Sequence, residues 1–185
     1  WPFLQTGQTS KWDELTVFSP YWGGVKENLQ LANCRTASLI PAMLEDGKYG
    51  LGRSGVKDCE DLDLYKLARL ENNRFWHAKT YFLTRGDRMR VGIGSANFTG
   101  AGLSGGEQGN VEAMLVFEAN SGDIDKFIPS LVDLPLDDPQ LPDENAKEGP
   151  EPAPLEIVVV YDWQARKYIV FFEPEDNTDA TEYRL

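Results

Sequence analysis

Apolar residues along the chain come in short blocks of strand length, separated by Gly, Pro and Asp turns. Glu14 to Trp22 (ELTVFSPYW) reads as a strand running into a loop at Ser19-Pro20. Gly23-Gly24 breaks it, and Val25 to Ala32 has the mixed pattern of one short helix. Arg35 to Leu44 (RTASLIPAML) reads as a second strand. Lys57 to Asn73 spaces Leu62, Leu64, Leu67 and Leu70 as on one helix face, with Asp58 or Asp61 near its start. Arg74 to Leu83 and Arg88 to Gly94, joined by the turn composition Thr84-Arg85-Gly86-Asp87, predict a β-hairpin. Its flanking aromatics, Phe75, Trp76, Tyr81 and Phe82, are expected in the core. Ser95 to Gly109 is rich in Gly and Ser and reads as a loop with room for a helical turn. Asn110 to Glu118 is another strand, and Asp123 to Leu131 a helix with Ser121 as its cap.

From Leu134 the pattern changes. Prolines 135, 139, 142, 150, 152 and 154 stand among acidic residues, the composition of a linker. Beyond it, Ile157 to Tyr161 and Lys167 to Phe172 are β-branched and aromatic and predict a second hairpin. About thirty residues cannot bury a core alone, so this appendage packs on other sequence or begins a larger β-domain. The expected organisation is a domain over 1–133, a Pro/acidic linker over 134–154 and a β appendage over 155–185.

Composition adds boundaries to this picture. The 185 residues are 41% hydrophobic and 11% aromatic, enough for a buried core. No apolar run approaches the ~18 residues that a membrane-spanning helix needs. The start, Trp1-Pro2-Phe3-Leu4, has neither a basic segment nor a cleavage site, so no signal peptide is read there. Trp at position 1 suggests an excised domain or a longer protein. Cys34 and Cys59 can form at most one disulfide, and two reduced thiols in a cytoplasmic protein is the simpler expectation. With one His and two Cys far apart, a structural zinc site is not expected. The net charge of −12 is uneven: residues 1–130 hold 14 Lys and Arg against 16 Asp and Glu, and residues 131–185 hold 4 against 14. The first part is therefore near neutral, without the strong basic footprint of most nucleic-acid binders.

The single histidine, His77, precedes Lys79 by two residues. In a strand, i and i+2 share a face, so the imidazole and the ammonium project together. Ser95 and Asn97 repeat this spacing after the second hairpin strand, and Asn110 and Glu112 repeat it at the start of the next. If the strands are neighbours, the three pairs can share one cleft. An imidazole is a nucleophile or proton carrier at neutral pH. Ammonium, amide and hydroxyl groups bind phosphate oxygens, and a carboxylate can orient an imidazole. Such a set suits in-line attack on a phosphodiester without a metal or other cofactor, and no metal-ligand spacing is seen.

His77-Ala78-Lys79, Gly94-Ser95-Ala96-Asn97 and Asn110-Val111-Glu112 together resemble the HxK…GSxN…NxE signature of the phospholipase D superfamily. The wording is most similar to its bacterial nuclease and helicase-associated branch, over about residues 12–130. The Glu14–Trp22 strand ending in Ser-Pro-Tyr also looks like that branch's opening strand. The resemblance implies an α/β domain with a sheet covered by helices. It implies that His77 is the nucleophile forming a phosphohistidine, or the general acid. Lys79 and Asn97 would bind non-bridging oxygens, Ser95 would support the phosphate or the imidazole, and Glu112 would orient the ring. Tyr21 and Trp22, in the loop after the first strand, and Asn110 are further candidates for substrate contact.

Two departures from the signature matter. The family's Asp five residues after the Lys falls on Thr84. The family's site also takes two histidines, so the second must come from a homodimer partner or from sequence outside this chain. The expected function is metal-independent phosphodiester hydrolysis, with nucleic acid as substrate and no membrane partner. The alternatives are a catalytically incomplete binding or assembly module of a larger protein and a phospholipid headgroup hydrolase. Arg74, Arg85, Arg88 and Arg90 form a local basic set, read either as a solvated face or as a means of steering a phosphate backbone.

Overall fold

The computed structural model describes residues 11–68, 77–103, 112–128, 130–146, 155–162 and 167–174. They fall in two compact units, Trp1–Lys147 and Glu148–Leu185. The first holds a seven-stranded mixed sheet in the order β6-β5-β4-β1-β2-β3-β7. Its strands are β1 (Trp12–Ser19), β2 (Cys34–Pro41), β3 (Leu62–Leu67), β4 (Thr80–Arg85), β5 (Arg88–Gly94), β6 (Met114–Asn120) and β7 (Leu131–Asp133). Helix α1 (Val25–Ala32) crosses between the parallel strands β1 and β2, and α2 (Gly100–Leu103) follows β5. β4 and β5 form the predicted hairpin with shifted bounds: β4 begins only at Thr80, so His77 and Lys79 precede it instead of standing in a strand, and Thr84 and Arg85, expected in the turn, complete it before the closure at Gly86 in the left-handed region, φ 58°.

Strand alternation sorts the core onto the two sheet faces. Leu15, Val17, Leu39, Tyr81 and Leu83 point to one face and pack with Val25 and Ala32 of α1, with Leu51 and Val56, and with Leu103 of α2. Phe18, Ile40, Phe82, Met89 and Val91 point to the other and pack against Ile124 and Ile128. Tyr81 and Phe82 are buried as the sequence predicts, while Phe75 and Trp76 lie outside the described residues. Trp22 is buried in the core of the first face and is not open to a substrate.

The expectation of a sheet covered by helices is overturned. Among the described residues there are two α-helices, of eight and four residues, and the sheet dominates. Lys57–Asn73 is not a helix through its centre: Leu62–Leu67 is β3, and 69–73 lie outside the described residues. Leu62 and Leu64 pack with the first face, Tyr65 and Leu67 with the second. A strand half-buried on both faces carries leucines at spacings that imitate a helical stripe. The stretch predicted as a helix from Asp123 is a 3-10 helix, Ser121–Lys126, capped by the Asn120 side chain, which accepts from Gly122 N–H. Pro129 is incompatible with a longer helix there, because it lacks an N–H and clashes with the preceding turn.

The expected linker is also different over its first part. Residues 134–146 pack as a strap across the loops that follow β2. Tyr49, Arg53 and Ser54 N–H groups donate to the carbonyls of Gln140, Pro142 and Asp143, and Ala146 N–H donates to Gly50. Leu134 and Leu141 are buried with Tyr49. Gly52 leaves no room for a side chain, since a Cβ there would lie 2.3 Å from the Glu144 carbonyl carbon. Arg53 donates to the carbonyls of Leu136 and Asp138 and to the Asp143 carboxylate. Lys66 bonds Asp138 at 2.9 Å, with the carboxylate 9% exposed. Proline here stiffens a segment that is already tied down. Residues 147–154 lie outside the described residues.

In the second unit β8 (Leu155–Asp162) and β9 (Lys167–Pro174) pair antiparallel, from Leu155↔Pro174 to Asp162↔Lys167. Among the described residues no helix is long and apolar enough to cross a membrane.

Two outcomes follow from the strap. Leu141→Ala should lower the stability of the first unit by about 2–4 kcal/mol in urea denaturation; an unchanged midpoint would mean that the strap is not part of the core. The Lys66 hydrogen bond holds the Asp138 carboxyl below its ordinary range. Its stabilisation is therefore complete above the unfolded-state pKa of Asp, about 3.9, and is lost as pH falls through the lower folded value. Asp138→Asn should flatten that part of the acid limb of the stability-pH curve. Burial also pushes both cysteine thiols upward. Both are free thiols in the fold, and Cys34 and Cys59 should alkylate more slowly at pH 8 than a cysteine peptide does.

Candidate functional site

Four neighbouring strands of alternating direction gather the candidate residues. β1 runs antiparallel to β4, β4 to β5 and β5 to β6. The end of β1, the approach to β4, the exit from β5 and the approach to β6 therefore lie at one end of the sheet. These are the positions of Tyr21, of His77 and Lys79, of Ser95 and Asn97, and of Glu112.

His77 is exposed and Lys79 is buried, with 6% of its surface accessible. Lys79 stands two residues before Tyr81, at the register that continues its face of β4. Lys79 Nζ lies 2.9 Å from His77 Nδ1 and 2.8 Å from Nε2. The lone-pair directions of the two ring nitrogens diverge in the ring plane, so an ammonium equidistant from both lies over the ring. The Tyr21 ring meets the same imidazole edge to face, with centroids 6.4 Å apart at 79°. Imidazole, ammonium and phenol ring are thus in one contact group.

The Gly94–Phe98 segment continues the sheet beyond β5. Gly94 N–H donates to Lys79 C=O at 3.1 Å, and Ser95 N–H donates to Ala113 C=O at 3.0 Å. A Cβ on Gly94 would lie 2.0 Å from the Ala113 oxygen, so only glycine lets β5 and the approach to β6 come this close. Ser95 Oγ donates to the Glu112 carboxylate and accepts from Ala113 N–H at 2.9 Å. Glu112 thus reaches the motif through Ser95. Asn97 is buried, 4% exposed, between the fully buried Ala96 and Phe98. The Tyr81 hydroxyl donates to Ala96 C=O at 2.7 Å. Burial first, and the Glu112 charge second, raise the Tyr81 phenol far above its ordinary range, so it remains a donor.

The structure therefore brings His77, Lys79 and Tyr21 into contact, joins Ser95 to Glu112, and sets Asn97 on the loop between those strands. Asn110 lies outside the described residues, as does Arg74. Thr84, at the family's Asp position, is in mid-sheet opposite Glu14 and Met89, away from the motif. The described members of the basic set, Arg85, Arg88 and Arg90, do not border the site. Arg85 and Arg88 are at the opposite end of the β4–β5 hairpin, about 17–20 Å along the strands at ~3.3 Å per residue. Arg85 and Arg90 stack on the Trp12 ring at 5.2 and 5.5 Å, and Arg88 and Arg90 pair with Glu118. They serve as structural cations, which removes them from any phosphate-steering role near His77.

Sequence reasoning missed the supports of the site. Tyr81 reads only as a core aromatic and Ser19 only as the start of a loop. Their polar atoms acquire partners from Ala96 and Phe98, far along the chain, and no local spacing signals that. Among the described residues no group of three or more His, Cys, Asp or Glu side chains is arranged to hold a metal ion.

Gly94→Ala should separate β5 from the approach to β6. Amide hydrogen exchange at Ser95 and Ala113 should accelerate, and stability should fall by about 1–3 kcal/mol; full protection in the variant would contradict the close approach. No protein-family model and no curated protein matches the chain.

Proposed function

We propose that the first unit is one half-site of a metal-independent phosphodiesterase of the phospholipase D type, acting on nucleic acid. The observation that carries this reading is the His77–Lys79–Tyr21 contact at the strand ends that also present Asn97 and the Ser95–Glu112 pair. A phosphoryl oxygen can take the place of the imidazole on the Lys79 ammonium, with the Asn97 carboxamide as a second donor. In the reaction, a His77 ring nitrogen attacks phosphorus as the bond to the leaving oxygen breaks. A second imidazole supplies the proton to that oxygen. It then takes a proton from water, whose oxygen attacks phosphorus and breaks the P–N bond, which regenerates His77.

The chain holds one histidine, so the second belongs to another copy or to further sequence. Geometry restricts the dimer. Pairing two β6 edges would put five inter-strand spacings of about 4.8 Å, some 24 Å, between the two β4 strands. Two His77 side chains can meet only if the strand ends face each other. The free thiols favour a reducing, cytoplasmic location. A second reading, a binding or assembly module without turnover, is favoured by the lone histidine and by the engagement of Arg85 and Arg90 with Trp12.

The test is hydrolysis of bis(p-nitrophenyl) phosphate and of a DNA oligonucleotide in EDTA. Wild type should turn over, and His77→Ala should lose at least about a thousandfold in kcat. An acid-labile phosphoryl adduct on His77 should be trapped at early times. Equal activity in the variant would sink the mechanism, and no turnover by wild type in any assembly state would select the module.

A further inference from the structure

Ser19 ends β1, is fully buried, and is assigned no role by the signature residues. Its hydroxyl donates to Tyr21 C=O at 2.8 Å and accepts from Phe98 N–H at 3.1 Å. Its own carbonyl accepts from the Trp22 indole N–H at 2.8 Å. The two loops touch again where Gly23 N–H donates to Phe98 C=O at 3.0 Å, and where the Trp22 and Phe98 rings pack with centroids 5.4 Å apart. One hydroxyl therefore joins the loop that sets Tyr21 against His77 to the loop that carries Asn97.

Asn97 is gripped from both sides. On its N-terminal side the Ala96 carbonyl is held by the Tyr81 hydroxyl, which stands on β4 two residues beyond Lys79 and on the same face. On its C-terminal side the Phe98 amide is held by Ser19. Each bond is buried, and a buried amide or carbonyl that loses its partner must find another or move. The backbone torsions on both sides of Asn97 are thereby fixed relative to Lys79 and to Tyr21, and those torsions aim its carboxamide.

We propose that Ser19 and Tyr81 are positioning residues of this site, with distinct reach. Tyr81 fixes Asn97 against the His77–Lys79 approach to β4, and Ser19 additionally locks the Tyr21 loop to Asn97, so that the aromatic wall beside the imidazole and the phosphate-binding carboxamide form one rigid body. The inference rests on the phosphodiesterase reading for its kinetic consequence, but not for its structural one.

The test compares Tyr81→Phe and Ser19→Ala by NMR of the full chain without substrate, then by kinetics. The reporters are the Asn97 carboxamide and Phe98 amide signals and the Tyr21 ring signals. Tyr81→Phe should shift Asn97 and leave Tyr21 in place. Ser19→Ala should shift Asn97 and Tyr21 together and accelerate Phe98 amide exchange by tenfold or more, an order of magnitude typical of one lost buried bond. Ser19→Thr, which keeps the hydroxyl, should restore the Tyr21 signals. With bis(p-nitrophenyl) phosphate, both Ala and Phe variants should lose about tenfold in kcat, and Ser19→Ala alone should also raise KM. If Ser19→Ala folds and moves neither reporter, or moves Asn97 only, the coupling is refuted. If Ser19→Ala does not fold, Tyr81→Phe decides alone, and unmoved Asn97 signals refute the grip. Absence of turnover in wild type, with the NMR pattern as expected, would sink the phosphodiesterase reading and leave the positioning intact.

Discussion

The arrangement depends on backbone hydrogen bonds that continue past the ends of the strands. Gly94 N–H to Lys79 C=O and Ser95 N–H to Ala113 C=O extend the β4–β5–β6 ladder into the motif segments. A ladder bond fixes which residues stand opposite one another, and the period of two fixes which side chains share a face. Lys79 is thereby placed on the side of Tyr81 and Leu83, with its ammonium at the rim where the imidazole stands. Without these bonds the segments just outside the strands would position the same side chains far less sharply, because their torsions would be restrained by few contacts.

A second layer of bonds makes this rim rigid. Ser19, Tyr81, Trp22 and Phe98 are all buried and are joined by side-chain to backbone bonds and ring contacts. A buried donor or acceptor without a partner costs about 1–3 kcal/mol, so the satisfied network resists local opening. Above these buried supports, His77 and Ser95 are exposed and Tyr21 and Glu112 are partly so. Such buried supports suit the proposed chemistry, because they would leave little reorganisation for the moment of reaction. The opposite end of the sheet is built on different physics. There Arg85 and Arg90 flank the Trp12 ring and Glu118 neutralises part of their charge. Cation–π contacts and ion pairs stiffen that edge, while the cations become engaged in structure.

The strap extends the same logic to the acidic part of the first unit. Residues 134–146 have the composition of a spacer, yet they are ordered by ladder-like backbone bonds to Tyr49, Arg53 and Ser54 and by the buried Leu141. Arg53 and Lys66 supply the cations that proline and aspartate alone would not suggest. Composition measures how much apolar surface a segment has to bury. It does not record whether another segment offers partners for its carbonyls and carboxylates.

The sequence by itself determined most of the strands β1, β2, β4, β5 and β6, the helix α1, and the spacing of two between His77 and Lys79, which meet although they precede β4. All of these are local: they rest on side-chain alternation, on turn residues and on residue identity, and each can be read within about ten residues. Only the tertiary structure decided that Leu62–Leu67 is a strand, since its leucines suit either period until β2 pairs alongside it. Only the tertiary structure decided that Glu112 meets Ser95, that the hairpin arginines are held at Trp12, and that Ser19 joins the Tyr21 and Asn97 loops. Those facts are contacts between residues distant in the chain. Their energies depend on burial and mutual distance, which a linear pattern does not contain.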